Sequence, residues 1–402
     1  MNVTIRPASL RGELRAIPSK SDAHRLLICA ALSDTPTRLL CPQTSEDIDA
    51  TVRCLTALGT RIKRDAEGFL VTPGTPPENC RMDCGESGST LRFLLPVVCA
   101  LGVKAKIELR GRLPERPLEP LWSELERGGA DLAKDGSSIR VGGKLQETSY
   151  ALAANVSSQF LSGMLFALPL LGGGMLHLIG KTESAGYLEM TLRTLARFGI
   201  TVEQRDDLLF VPPLPYRTPG LAEAEGDWSN ASFWLTAGAL CGDSVRCTGL
   251  DAASAQKDRL VSEALRAIRT GNAVLDASDI PDLVPILSVA AALTPGTTRI
   301  TGAARLRLKE SDRLASVAAM LRALGGEARV TDDGLVIPGS HSLRGGVVDA
   351  MGDHRIVMSA AIASVGCESE VVILGAEAVN KSYPGFFRDF AALGGCCKEE
   401  SI

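Results

Sequence analysis

Apolar residues recur along the chain in six helix-like segments, each of which ends in a turn of small residues. The helix-like segments are 21–32, 87–101, 157–171, 228–240, 280–293 and 352–365. They end about 70 residues apart, with one shorter interval in the second half, and such a regular interval indicates an internal repeat. A run with strand-like alternation follows each segment, for example at 105–109 and 371–374. The pattern therefore predicts a repeated α/β unit.

A second helix recurs at the same interval as the first, and it ends at a glycine. Gly59, Gly199, Gly325 and Gly394 each follow an apolar helical stretch and precede a strand-like run. Glycine is favoured there because the residue after a helix often takes the left-handed conformation. Six such units, three on either side of a break near 212–215, predict two similar α/β lobes. A generic α/β repeat without functional meaning would show the same periodicity and stays open at this point.

Composition excludes several classes of protein. The chain has 402 residues, 45% of them hydrophobic, and a formal net charge of −4. These values favour a folded protein of two domains over a disordered chain or a basic nucleic-acid binder. The 11 cysteines include no Cys-x-x-Cys pair, and the four histidines lack metal-ligand spacing. We therefore expect reduced thiols and no metal site.

Targeting signals are not evident in the pattern. The first residues lack the apolar core of a signal peptide, which together with the thiols predicts a cytoplasmic protein. The uncharged run 160–180 is long enough to suggest a membrane span, but Pro169 and Gly172–Gly174 divide it. We interpret it as a buried helix, a turn and a strand.

The predicted first turns of the apolar helices are unusually polar. They contain Ser19–Ser21, Ser87–Thr90, Ser157–Gln159, Ser229–Asn230, Ile280–Asp282 and Gly352–Arg355. Serine, asparagine and aspartate are ordinary N-caps, so their presence alone predicts only helix starts. Lys20, Arg25 and Arg355 oppose the helix dipole and are better explained if an anion binds at the same place.

Further cations lie on predicted loops near helix starts. They are Arg112 in the proline-containing segment 110–117, Lys309, Arg313 and Lys381. Charged runs usually form solvated surfaces, and this interpretation stays open. If the cations of both halves instead meet in one cleft, that cleft suits small polyanions. The sequence contains no P-loop, no HExxH zinc motif, no GxSxG nucleophile motif and no dinucleotide fingerprint.

These residues make the sequence resemble the 5-enolpyruvylshikimate-3-phosphate synthase family over essentially its whole length. The motifs that carry the resemblance are Pro18–Ser21 with Arg25, Ser87–Arg92, Arg112–Pro117, Val156–Phe160, Asp279–Asp282, Lys309–Arg313, Gly352–Arg355 and Lys381. The resemblance implies a two-lobed inside-out α/β barrel with six β-α-β-α-β-β repeats. It implies a C-terminal lobe of residues 1–17 and 226–402, an N-terminal lobe of 18–225, and a hinge near 14–20 and 222–228.

The resemblance also implies the reaction, which transfers the enolpyruvyl group of phosphoenolpyruvate to the 5-hydroxyl of shikimate 3-phosphate in aromatic amino-acid biosynthesis. The residues expected to contact shikimate 3-phosphate are Lys20, Ser21, Arg25, Ser157, Ser158, Gln159, Ser184, Tyr187, Asp282 and Lys309. Those expected to contact phosphoenolpyruvate are Lys20, Gly88, Arg112, Gln159, Glu310, Arg313, Arg355 and Lys381. Two phosphates and two carboxylates explain so many cations. No cofactor, metal, nucleic acid or membrane is implied, and we expect a monomer.

The expected catalytic residues are Asp282, Glu310, Lys381 and Lys20. Our hypothesis is that Asp282 takes the proton of the attacking hydroxyl, and its alternative role is that of a helix cap. Either Glu310 or Lys381 delivers and later removes the proton at C3 of phosphoenolpyruvate; a carboxylate among cations suits a base better than an acid. Gly88 leaves space beside this substrate, with which the anion glyphosate is expected to compete.

Two other functions stay open. UDP-N-acetylglucosamine enolpyruvyl transferases share the repeat and phosphoenolpyruvate, but they carry a cysteine in the loop that corresponds to 110–120, where this chain has none. A non-catalytic protein that binds anions or RNA ends is the second alternative, and the carboxylates of Asp282 and Glu310 argue against it. Three positions differ from the asparagine of some relatives, namely His24, Glu86 and Arg305.

Overall fold

The computed structural model describes residues 1–180, 183 and 185–400. Its strands are β1 Asn2–Arg6, β2 Gly12–Arg15, β3 Thr37–Leu40, β4 Arg61–Arg64, β5 Gly68–Thr72, β6 Asn79–Asp83, β7 Lys104–Glu108, β8 Ala130–Asp135, β9 Ser138–Gly143, β10 Ser149–Ala153, β11 Gly174–Ile179, β12 Glu203–Arg205, β13 Leu208–Val211, β14 Leu221–Glu223, β15 Val245–Thr248, β16 Val274–Asp276, β17 Gly296–Thr301, β18 Arg329–Val330, β19 Leu335–Gly339, β20 Gly346–Asp349, β21 Val371–Leu374 and β22 Cys396–Glu400. Its α-helices are α1 Lys20–Ala31, α2 Glu46–Ala57, α3 Gly88–Leu101, α4 Leu121–Arg127, α5 Ser158–Ala167, α6 Ala185–Arg197, α7 Trp228–Leu240, α8 Val261–Arg269, α9 Val284–Ala292, α10 Arg313–Ala323, α11 His354–Ala363 and α12 Phe386–Ala392.

The chain forms two compact units, each with its own hydrophobic core. The unit Lys20–Ala224 is called the N-terminal lobe below. The unit that combines Met1–Ser19 with Glu225–Ile402 is called the C-terminal lobe. Two separate cores are expected for a chain of this length, because a single core stops growing well before it.

Within the described residues, the N-terminal lobe contains three four-stranded sheets of one pattern. The strand orders are β14-β3-β5-β4, β6-β7-β9-β8 and β10-β11-β13-β12. In each sheet the first two strands are parallel and the other neighbours are antiparallel. The parallel partner of β3 is β14, so the last strand of the lobe completes the sheet of its first repeat.

The C-terminal lobe repeats this pattern in the sheets β16-β17-β19-β18 and β20-β21-β1-β22. Strand β1 lies between β21 and β22, with Asn2 opposite Leu374 on one side and Glu400 on the other. The third sheet has only the parallel pair β15 and β2. Residues 249–260, all of which are described, form no hairpin there, and this explains the short interval in the sequence. The predicted six-repeat α/β fold is confirmed, with one repeat trimmed.

The apolar helices of the repeat are buried inside each lobe. Almost every residue of α3 and α5 is buried, and the same holds for α9 and α11. Pro96 in α3 has no N–H to donate to the carbonyl of Arg92. Gly163 of α5 packs against that carbonyl, since an added Cβ would come within 2.2 Å of the Arg92 oxygen. Helices α3 and α5 therefore approach closely beside Arg92.

The glycines that follow the second helix of each repeat are left-handed. The φ angles of Gly59, Gly129, Gly199, Gly271, Gly325 and Gly394 are 96°, 108°, 83°, 97°, 87° and 95°. The four helix-ending glycines predicted from the sequence are thereby confirmed. The run 160–180 forms α5, a 3-10 turn Leu168–Leu171 and β11, also as predicted. No helix in the described part of the chain has both the length and the apolar character needed to cross a membrane.

Candidate active site

In the N-terminal lobe, three apolar helices begin at the predicted polar residues. Ser87 caps α3, where its hydroxyl accepts from the N–H of Thr90 at 3.3 Å. Ser157 caps α5 in the same way through the N–H of Gln159 at 3.3 Å, and Ser158 is the buried first residue of that helix. These contacts are those of N-caps, and they leave other N–H groups of the first turns directed away from the helices.

Lys20 is the first residue of α1, and its Nζ lies 2.9 Å from Asp47 Oδ2. Both side chains are largely buried. A buried carboxylate offsets the unfavourable position of a cation at a helix start, so Asp47 holds the amine there.

A buried guanidinium connects α3, α5 and the following loop. Arg92 donates from Nη1 to Gln159 Oε1 at 3.1 Å and from Nη2 to the carbonyl of Pro117 at 3.1 Å. Gln159 donates from Nε2 to Ser89 Oγ at 2.9 Å, so both ends of its amide are fixed. Gln159 was predicted as a site residue and Arg92 was not, although it lies one helical turn after Gly88 on the same face of α3.

Gly88 lies against two guanidinium groups. A Cβ added there would come within 2.6 Å of Arg92 Nη1 and 2.8 Å of Arg116 Nη1. Arg116 belongs to the proline-containing motif but was not predicted as a site residue. On the same loop, the side chain of Arg112 is 51% exposed, and its Nε lies 3.6 Å from Glu115 Oε2.

Arg25 lies in the second turn of α1 rather than the first and is buried. It donates from Nε to Thr191 Oγ1 at 2.8 Å, from Nη1 to the carbonyl of Ser21 at 2.6 Å and from Nη2 to the carbonyl of Tyr187 at 2.9 Å. Arg25 thus joins two residues predicted for shikimate 3-phosphate, Ser21 and Tyr187. The predicted contact Ser184 lies outside the described residues.

His24, the first departure from some relatives, begins a buried hydrogen-bond chain. Its Nδ1 lies 2.7 Å from Thr51 Oγ1, which lies 2.7 Å from Thr90 Oγ1, and Thr90 donates to Ser87 Oγ at 2.7 Å. The chain therefore connects α1 and α2 to the cap of α3. Burial lowers the pKa of His24 to about 3, with Lys20 and Arg25 acting in the same direction and Asp47 against them. The ring is neutral at physiological pH.

Glu86 and Arg305, the other two residues that differ from the asparagine of some relatives, make contacts within the protein. Glu86 packs against Gly111, where its carboxyl group occupies the space that a Cβ would take. Arg305 donates to the carbonyl of Ser278. Each side chain is thus held within its own lobe.

In the C-terminal lobe, one guanidinium holds three carboxylates. Arg313, the first residue of α10, is 1% exposed. It donates from Nη1 to Asp282 Oδ1 at 2.8 Å, from Nη2 to Glu310 Oε2 at 2.7 Å and from Nε to Asp353 Oδ2 at 2.7 Å. With a longer bond from Nη2 to Asp353 Oδ1 at 3.4 Å, these bonds use four of the five N–H groups of the guanidinium.

Burial alone would lower the pKa of Arg313. The carboxylates of Asp353, Glu310 and Asp282 outweigh burial and raise that pKa above its usual value. The guanidinium therefore stays charged and keeps the two predicted catalytic carboxylates in place.

Three more cations border the same carboxylates. Lys309 Nζ lies 3.8 Å and Arg355 Nε 3.5 Å from Asp282 Oδ1, and Lys381 Nζ lies 3.9 Å from Glu310 Oε1. Arg355 also donates to the carbonyl of Asp282 at 2.9 Å. All predicted site residues of this lobe therefore lie in one cluster.

Asp282 sits in the 3-10 turn Pro281–Leu283 that precedes α9. The N-cap positions of the turn and of the helix are occupied by Ile280 and Leu283, so Asp282 is the cap residue of neither. Among the residues that the structure describes, no group of three or more His, Cys, Asp or Glu is placed to hold a metal ion.

Known proteins resemble this chain over its whole length. The model of the EPSP synthase (3-phosphoshikimate 1-carboxyvinyltransferase) family matches residues 5–390. The 3-phosphoshikimate 1-carboxyvinyltransferases of Clostridium acetobutylicum and Clostridium kluyveri are 38% and 37% identical to it, over 100% of this chain and 99% of each relative. Two EPSP synthase structures from Acinetobacter baumannii share the fold, with TM-scores of 0.80 and 0.81. Their sequences are 23% and 22% identical to this chain, and the matches cover 99% and 100% of this chain and 100% of each solved chain. The chain belongs to the EPSP synthase (3-phosphoshikimate 1-carboxyvinyltransferase) family.

Proposed function

We propose that the chain transfers the enolpyruvyl group of phosphoenolpyruvate to the 5-hydroxyl of shikimate 3-phosphate, with release of phosphate, through the residues of the two lobes described above. Enolpyruvyl transfer is the reaction of its family. The observation that supports the residue assignment is the Arg313 cluster, in which acid–base groups and cations surround one buried guanidinium. Addition to a phosphorylated enol requires both kinds of group.

In the first step, Asp282 takes the proton of the 5-hydroxyl while the hydroxyl oxygen attacks C2 of phosphoenolpyruvate. The C3 methylene takes up a proton at the same stage, which gives a tetrahedral intermediate. In the second step, C3 loses a proton, the C2–C3 double bond forms again and phosphate leaves. Lys309 and Arg355 lie close enough to Asp282 to compensate its charge before it accepts the proton.

The proton at C3 is assigned to the Glu310 and Lys381 pair. Lys381 Nζ lies 3.9 Å from Glu310 Oε1, so the two candidate proton donors are neighbours. Arg313 fixes the other oxygen of Glu310. Whichever group donates in the first step removes the proton in the second.

The N-terminal lobe is proposed to bind the anionic groups. Shikimate 3-phosphate is assigned to Lys20, Ser21, Arg25, Ser157, Ser158, Gln159, Ser184 and Tyr187, together with Asp282 and Lys309. Phosphoenolpyruvate is assigned to Lys20, Gly88, Arg112 and Gln159, together with Glu310, Arg313, Arg355 and Lys381. The starts of α1, α3 and α5 supply N–H donors and the positive ends of helix dipoles, which favour phosphate and carboxylate. Arg92 and Arg116 beside Gly88 add positive charge at the same place.

A phosphate-release assay with the purified enzyme tests the function. We expect phosphate only when phosphoenolpyruvate and shikimate 3-phosphate are both present, and an enolpyruvyl product by mass spectrometry. Release with UDP-N-acetylglucosamine as the acceptor would instead identify the other enolpyruvyl transferase. Binding of both anions without turnover would support a non-catalytic protein.

Glyphosate inhibition, quaternary state and location are further parts of the proposal. Competition of glyphosate with phosphoenolpyruvate follows from their shared negative charge and is tested by inhibition kinetics. A monomer and a cytoplasmic location are tested by light scattering and by cell fractionation.

A further inference from the structure

One imidazole and three hydroxyl groups in the N-terminal lobe form a hydrogen-bond chain that no step of the proposed mechanism uses. Its members His24, Thr51, Thr90 and Ser87 are all fully buried. Each of the three bonds, from His24 Nδ1 to Thr51 Oγ1, on to Thr90 Oγ1 and on to Ser87 Oγ, is 2.7 Å long. A continuous buried chain of this kind makes its surroundings rigid, and here it joins α1, α2 and the start of α3.

The donors of the chain follow from its last bond. Thr90 donates to Ser87, so the Thr90 oxygen accepts from Thr51 and the Thr51 oxygen accepts from His24 Nδ1. The neutral ring has a single N–H, which is therefore on Nδ1. The other nitrogen, Nε2, is buried and has no hydrogen-bond partner among the residues that the structure describes. A proton on Nε2 would thus have no acceptor.

The chain lies one helical turn from the ion pair of Lys20 and Asp47. His24 follows Lys20 by four residues in α1, and Thr51 follows Asp47 by four residues in α2. Residues four apart lie on the same face of a helix, so α1 and α2 meet twice along one line. The two contacts are the ion pair at 2.9 Å and the bond from His24 to Thr51 at 2.7 Å. The position of the Lys20 amine therefore depends on both.

Thr90 extends these contacts to the start of α3. It lies two residues after Gly88, and its hydroxyl and its N–H donate to Ser87 Oγ at 2.7 and 3.3 Å. A longer contact of 3.4 Å joins Thr90 Oγ1 to the carbonyl oxygen of Asp47. The first turn of α3, which includes Gly88, is therefore held against the same helix whose Asp47 holds Lys20.

We propose that Thr51 is a positioning residue for the phosphoenolpyruvate site, because its hydroxyl fixes the start of α3 at Gly88 relative to Lys20. The proposal rests on the assignment of Lys20 and Gly88 to phosphoenolpyruvate in the proposed function. Thr51 is fully buried and acts through these two residues. Its one hydroxyl accepts from His24 and donates to Thr90, so its removal breaks the links of α2 to both neighbouring helices. Displacement of a binding group by about 1 Å costs about 100-fold in rate.

Two substitutions of Thr51 separate the role of its hydroxyl from that of its shape. Thr51→Val keeps the shape and removes the hydroxyl, whereas Thr51→Ser keeps the hydroxyl and removes a methyl group. We expect Thr51→Val to lower kcat/KM for phosphoenolpyruvate by about 5- to 50-fold at saturating shikimate 3-phosphate. Thr51→Ser should stay within about threefold of the wild type. The reverse order of the two variants would show that packing alone matters, and the proposal would be wrong.

Thr56→Val is the matched control. Thr56 lies on the same helix, is exposed and donates to the carbonyl of Val52 within that helix. It should keep the wild-type kcat/KM. If Thr51→Val has the kcat/KM of the wild type, the role of Thr51 is overturned and the proposed function stays intact. Absence of turnover in the wild type overturns the proposed function itself.

Thr90→Val breaks the next bond of the same chain and gives an independent measure. It should lower kcat/KM for phosphoenolpyruvate to a similar extent, and it replaces Thr51→Val if that variant does not fold. The double variant should lose hardly more than the larger single loss, because the chain is already broken. Losses that multiply would show that Thr51 and Thr90 act independently, against the proposal.

Nitrogen-15 NMR of the histidine-labelled wild type tests the donor assignment without a change in the chain of bonds. The signals of His24 are identified by their absence from the spectrum of His24→Asn. We expect a protonated Nδ1 and an unprotonated Nε2 between about pH 6 and pH 8. A proton on Nε2 in this range would leave Thr51 without its donor, and the proposal would be wrong.

Discussion

The two lobes are built from the same repeat, but the described hydrogen bonds of Arg25 and Arg92 in one lobe differ from those of Arg313 in the other. In the N-terminal lobe, those of Arg25 and Arg92 end on hydroxyl, amide and carbonyl oxygens. In the C-terminal lobe, those of Arg313 end on three carboxylates. Bonds to neutral oxygens fix a guanidinium in direction without cancelling its charge, whereas bonds to carboxylates do both. The comparison shows that Arg25 and Arg92 keep their charge available for anions, whereas Arg313 holds carboxylates in place.

The largest expected effect concerns the chemistry assigned to the C-terminal lobe. Asp282→Asn keeps the size of the side chain but removes the base, so kcat should fall by about 10²- to 10⁴-fold. Binding of shikimate 3-phosphate, measured by calorimetry, should change far less. Near-normal turnover would show that Asp282 is not the base, and the role assigned to the carboxylates around Arg313 would then be wrong.

Removal of a buried arginine should destabilise the two lobes to different extents. Arg313→Met leaves buried carboxylates without their cation, and we expect the free energy of unfolding to fall by about 3–5 kcal/mol. Arg92→Met leaves only neutral acceptors among its described partners, and we expect a loss of about 1–2 kcal/mol. Urea unfolding at pH 7 measures both values. Equal losses would contradict the comparison.

Gly88→Ala tests the anion-binding assignment of the N-terminal lobe. The new methyl group would meet Arg92 Nη1 and Arg116 Nη1 below 3 Å and must displace them. A cost of about 1–3 kcal/mol predicts a KM for phosphoenolpyruvate raised by about 5- to 150-fold, with a smaller change in kcat. Gly142→Ala is the matched control, because its added Cβ would meet nothing closer than 3.5 Å. An unchanged KM in Gly88→Ala would remove Gly88 from the site.

The smallest expected effect is the pH dependence of stability due to His24. Its pKa is about 3 in the folded protein and close to 6.5 when unfolded, so below pH 6.5 the unfolded chain takes up a proton that the folded one refuses. Stability should therefore decrease from pH 6.5 towards pH 3, by on the order of 1–2 kcal/mol at pH 5 from this residue. His24→Asn should flatten this slope in unfolding experiments at several pH values. An unchanged slope would show that other groups cause it.

Sequence patterns predicted much of the fold and part of the candidate site. Gly59 and Gly199 marked helix ends because the left-handed conformation is a local property of the backbone. Ser87 and Ser157 marked helix starts for the same reason, since a cap bonds to N–H groups only a few residues away. The pairing of β1 with β21 and β22 has no such local signal, because the partners are far apart along the chain.

The sequence by itself determined the period of the repeat, the helix limits, the trimmed unit and the residue types at the helix starts. These features depend on side-chain alternation and on contacts within a few residues. Only the tertiary structure decided that Arg313 meets three carboxylates and that Arg92 and Arg116 border Gly88. Such contacts join distant segments, and burial, which keeps the ring of His24 neutral, exists only once those segments have packed together.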